Sequence, residues 1–95
     1  MDEIKLGQAQ HRGVRAAELL NNSLLQEAFK DIEAEFLKGW RSTKSRDTEL
    51  RERFWQAIQC LGILQETLKQ HVINGRIAAE DLRRLSEEAG KRKTK

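Results

Sequence analysis

The 95-residue chain contains no proline and no tyrosine, one cysteine and two histidines. Each shortage excludes something. Without proline, no helix interior is forced to break for want of an N–H. The lone Cys60 excludes an internal disulfide and suits a reducing compartment. Beside Ile58 and Leu61 it is expected to be a small, partly buried packing residue. His11 and His71 stand apart, with no Cys or second His at i+3 or i+4 to complete a metal site. No apolar run reaches membrane-spanning length. The start, Met1-Asp2-Glu3-Ile4-Lys5, lacks the basic and apolar regions of a signal peptide, so a cytoplasmic location is expected. Gly-rich phosphate loops and paired-acid motifs are missing, and no base stands ready to activate Cys60. The expectation is a protein that is not an enzyme, with no cofactor, no metal, no membrane span and no small-molecule substrate.

What the chain does have is charge. Charged residues make up 35%, apolar residues 38% and aromatics 5%. That supplies one helical seam but no thick layered core. Abundant Glu, Lys, Arg, Leu, Gln and Ala favour long helices, because these side chains lose little freedom there. The alternation that marks a strand is absent. The length suits a single helical domain, residues 1–90, with a basic tail at 91–95. A net charge of +3 permits contact with a polyanion without requiring it.

Along the chain, residues 1 to about 8 read as a loose arm and Gln8 to Leu20 as a first helix. Its buried face is either Val14, Ala17 and Leu20 or Ala16 and Leu19, and Gly13 weakens it by roughly 1 kcal/mol. Asn21-Asn22-Ser23 is the first punctuation. Asn22 is a good N-cap, and Ser23 with Gln26 offers a capping box one residue later. A helix of about 20 residues follows. Its stripe is Leu25, Phe29, Ile32, Phe36 and Trp40, flanked by Leu24, Ala28 and Leu37. The apolar-free segment Ser42-Thr43-Lys44-Ser45-Arg46 ends it. Asp47 or Ser45 caps the next helix, striped by Leu50, Phe54, Ile58, Leu61, Leu64, Leu68 and Val72, with Trp55, Ala57 and Ile63 alongside. Asn74-Gly75 reads as its C-terminal stop. A short last helix bearing Ile77, Ala78, Leu82 and Leu85 then folds back and ends near Gly90.

The predicted fold is therefore all-α: a long antiparallel helix hairpin with a shorter helix at each end. Its stripes are wider than one hairpin covers. Burying on the order of 500 Å² more would contribute roughly 12 kcal/mol, comparable to the cost of association. A homo-oligomer forming a helical bundle is the expectation. Its contact residues would be Phe29, Ile32, Phe36, Trp40, Phe54, Trp55, Ile58 and Leu61.

Trp40 and Trp55 fall at similar heights near the hairpin loop, either as a partner anchor or as closure of the core. Lys38, Arg41, Lys44, Arg46, Arg51 and Arg53 crowd the same end, partly offset by Asp47, Glu49 and Glu52. An Asp47–Arg51 pair at i, i+4 fits a solvated helix end. Contact with phosphates and bases is the alternative, through Arg41, Lys44 and Arg46 together with Lys91, Arg92, Lys93 and Lys95 of the tail. Such contact would be nonspecific and salt-dependent.

Several of these motifs recur together. Ala17-Glu18-Leu19-Leu20-Asn21-Asn22, Leu25, Glu27-Ala28-Phe29, Trp40-Arg41-Ser42-Thr43 and Arg46-Asp47-x-Glu49-x-Arg51-Glu52-x-x-Trp55 resemble small helical proteins of tailed bacteriophages and prophages. The likeness runs over about residues 14–85. It departs at Ser23, where that group would often carry proline. The resemblance implies a phage protein from the particle-building part of the genome. Joined to the stripes and the missing motifs, the expectation is a non-enzymatic assembly or virion protein, in the host cytoplasm or the particle, that contacts copies of itself and other phage or host proteins. The alternatives are a nucleic-acid accessory, for instance in DNA packaging, and a small inhibitor of a host protein.

Overall fold

The computed structural model describes residues 2–93 and is all-helical there, with no strand. Three helices follow in order: α1 Glu3–Leu20, α2 Ser23–Ser42 and α3 Thr48–Lys93. They divide between two compact units. A terminal unit joins Met1–Leu19 to Leu68–Lys95, and a central unit spans Leu20–Thr67.

Helix α1 starts at Glu3, so the expected loose arm is helical instead. The reason is a cap: Asp2 Oδ1 accepts from the Ile4 N–H at 2.9 Å, and the Asp2 carbonyl accepts from Leu6 N–H at 3.1 Å. Glu3 then lies in the first turn, where the helix dipole favours an acid.

Helix α2 begins as its punctuation implies. Asn22 is its N-cap, and the Asn22 side chain accepts from Leu25 N–H at 2.9 Å. Gln26 does not complete a capping box; its amide donates 2.6 Å to the Leu20 carbonyl, one of the carbonyls the end of α1 leaves open. At the other end Thr43 closes the helix, donating to the Trp40 carbonyl through both its N–H (3.1 Å) and its hydroxyl (2.6 Å). The connection to α3 is tied by Asp47, whose N–H donates to Lys44 O at 2.9 Å and whose carbonyl takes the first helical bond from Arg51.

Helix α3 overturns the expected stop at Asn74-Gly75. It runs unbroken for 46 residues, and there is no separate last helix folding back. Gly75 has no positive φ. Its missing side chain serves a different purpose: a Cβ there would lie 2.8 Å from Gly13 Cα and 3.1 Å from the Ala9 carbonyl. A Cβ at Gly13 would meet Gly75 Cα and the His71 carbonyl, both at 2.8 Å. The two glycines therefore let α1 and α3 touch backbone to backbone, and the Gly13 that weakens α1 locally is what brings α3 close. Asn74 stays on the surface, accepting from the Gln70 side chain at 3.0 Å. Gly90 likewise sits inside the helix, with open space around it. Toward that end, Arg83 donates to Glu80 and Glu87, one turn away on either side.

Among the described residues of the terminal unit, Gly13 and Ala16 of α1 are buried with Gly75 and Ala78 of α3. Ala17 and Leu20 are half-buried, while Val14 and Leu19 stay exposed, so the buried face of α1 takes members of both predicted sets. In the central unit Phe29 and Leu61 are buried, and Phe36, Trp40, Phe54 and Ile58 are half-buried. Gly39 faces the Phe54 ring, close enough that a Cβ there would lie 2.5 Å from it.

Candidate interaction surface

The core is thin. Among the described residues the buried apolar side chains are Ala16, Phe29, Leu61 and Ala78, and no large side chain is sealed completely from solvent. The central unit leaves Leu24 (71% exposed), Ile63 (63%) and Trp55 (52%) open, with Ile32, Leu50 and Leu64. Scattered single apolar residues are ordinary on a protein surface. Six large ones on the central unit, beside five on the terminal one (Ile4, Val14, Leu19, Ile73 and Ile77), are apolar surface short of cover.

Of the eight predicted contact residues, Phe29 and Leu61 are already covered within the chain, and Ile32 and Trp55 are exposed. Phe36, Trp40, Phe54 and Ile58 lie between those limits. Leu24, Leu50, Ile63 and Leu64 extend the open set beyond that prediction. Leu24 and Ile63 flank the stripes, and Leu50 and Leu64 belong to the second stripe itself, so stripe width was the signal for them.

Trp40 and Trp55 do come together, lining one open recess with Thr48, Arg51 and Glu52. Arg51 organises it. Its guanidinium carbon lies 4.4 Å from the Trp40 ring centroid, and Nη1 donates 2.8 Å to the Thr43 hydroxyl. Thr43 in turn is held by the Trp40 carbonyl. Cation–π attraction and a hydrogen bond thus fix Arg51 across the helix junction. The expected pairing of Arg51 with Asp47 is not made, because Arg51 is turned to Trp40 and Thr43; the Asp47 carboxylate accepts from Lys44 N–H at 3.3 Å. Arg53 pairs instead with Glu49 at 3.0 Å, one exposed turn of helix apart.

The remaining cations at this end, Lys38, Arg41, Lys44 and Arg46, are exposed and, among the described residues, outside any ion pair. Lys91 is exposed on α3; the side chains of Arg92 and Lys93, and all of Lys95, lie outside the described residues. Cys60 is exposed rather than partly buried as expected. It sits on the flank of α3 next to buried Leu61, one residue off the packed stripe. Among the described residues no group of three or more His, Cys, Asp or Glu side chains is arranged to hold a metal ion. No described helix is long and apolar enough to cross a membrane. No family model, curated protein or solved structure matches the chain.

Proposed function

We propose that the chain is a non-enzymatic helical protein that works by associating with a second copy of itself through the central unit. In this reading α2 and the first part of α3 form an antiparallel hairpin that contributes half of a helical bundle. One observation carries it: six large apolar side chains, Leu24, Ile32, Leu50, Trp55, Ile63 and Leu64, stand exposed around a core of very few buried residues. Covering them removes apolar area from water at about 25 cal/mol per Å², the main force available to a chain with so small a core. The resemblance to small phage proteins supports a role in virion assembly, with other phage or host proteins as further partners.

The test uses exposed positions, so that folding is spared. Ile63→Lys with Leu64→Lys should keep helicity and lower the light-scattering mass to that of one chain. The same double substitution leaving an oligomer of unchanged size would refute contact through this surface. A second reading, a nucleic-acid accessory, draws on exposed Arg41, Lys44 and Arg46. It requires DNA retardation that fades with salt and weakens when those three become alanine. Unretarded DNA at low salt ends it.

A further inference from the structure

The terminal unit brings together residues that the sequence leaves far apart. His11, Arg12 and Arg15 of α1 line one open groove with His71 of α3, about 360 Å³ in volume. Ala16, Leu19 and Leu68 form its apolar wall. No carboxylate among the described residues lines it. Among the described residues neither Arg12 nor Arg15 is in an ion pair.

We propose that this groove binds a phosphate ester carrying an apolar group. A guanidinium fork meets two phosphate oxygens at once, and two arginines at i, i+3 stand on one face of α1. An imidazole N–H can donate in either protonation state, which gives His11 and His71 a part without any change of charge. Two guanidinium forks and two imidazole N–H groups offer more donors than the roughly four acceptor sites of a carboxylate, and suit the three terminal oxygens of a phosphate monoester. The groove is also larger than bare phosphate needs and falls in the size range of small-molecule sites. Leu19, 48% exposed, gives an apolar group something to cover. This site lies within the terminal unit and does not depend on self-association through the central one.

Phenyl phosphate is the probe, followed by NMR on the full chain. Saturable shifts are expected at His11, Arg12, Arg15, Leu19, Leu68 and His71, with inorganic phosphate binding at least fivefold more weakly. Arg12→Ala with Arg15→Ala should abolish the shifts at unchanged helicity. Arg12→Lys with Arg15→Lys, which keeps charge but loses the fork, should weaken binding severalfold. Vesicles of phosphatidylcholine with or without phosphatidic acid then identify the source. Arginine-dependent co-sedimentation only with phosphatidic acid assigns a lipid headgroup. Its absence beside saturable phenyl phosphate binding assigns a soluble ester, and either result supports the site. Shifts that never saturate, equal binding of inorganic phosphate, or full binding by the double alanine variant would overturn it.

Discussion

The terminal and central units share one helix, α3, yet they are held together by opposite means. The terminal unit packs small on small: Gly13 and Ala16 against Gly75 and Ala78, with a backbone contact at the glycines. The central unit packs by bulk, with Phe29 and Leu61 buried and the Phe54 ring laid over Gly39. The difference lies in what can give way. A new methyl at Gly75 meets backbone, which moves only if the helices part. A new methyl at Gly39 meets the edge of one ring on a rotatable stem. Both units leave large apolar side chains exposed, five in the terminal unit and six in the central one, and the central unit, which holds the predicted contact residues, is where we infer the partner contact.

Substitutions can break or sharpen this contrast. Phe29→Ala should have the largest effect, about 3 kcal/mol of destabilisation from lost burial and the cavity left behind. It should be seen as a lower denaturant midpoint. Gly75→Leu follows at about 2–3 kcal/mol, since overpacking at a backbone contact exceeds the gain in helix propensity. Exchange of α1 amides should accelerate with it, while those of α2 stay protected; uniform loss in both units would erase the distinction. Gly62→Ala should stabilise by about 1 kcal/mol, because the site has open space and alanine is the better helix former. That corresponds to a melting temperature higher by about 4–8 °C. At Gly39→Ala the same propensity gain meets a displaced Phe54 ring, and the net change should stay within about 0.5 kcal/mol. A cost as large as that of Gly75→Leu would show that the two close approaches are alike.

The smallest effect is electrostatic. Hydrogen bonding from Arg83 holds the Glu80 carboxyl below its ordinary value of 4.5. A depressed folded pKa gives a contribution that is full above the ordinary value and lost as pH falls through the folded one. Glu80→Gln should therefore lower helicity slightly at neutral pH, and the difference from the unmodified chain should vanish in acid. A difference that persists in acid would remove charge as its cause.

Helix identity was legible in the sequence because capping chemistry and periodicity are local. Asn22 before α2 and the apolar-free segment after it marked both ends correctly. Helix extent was less legible. Asn74-Gly75 carries a stop signal, but the same glycine also permits close approach, and only a tertiary neighbour decides between those uses. Gly13 was the available clue, a second glycine in a segment otherwise suited to helix. Asp2 followed by Glu3 is the corresponding signal for the start of α1, set against the mixed charge and glycine of that arm. The exposed apolar surface could be inferred from stripe width. The groove of His11 and His71 could not, because it depends on which part of α3 lies against α1.

Sedimentation equilibrium of the unmodified chain over micromolar concentrations tests self-association most directly. A mass that rises to a whole multiple of the 11.0 kDa chain is the predicted result. A constant 11.0 kDa across the range would contradict it, leaving the exposed stripe without a second copy to cover it.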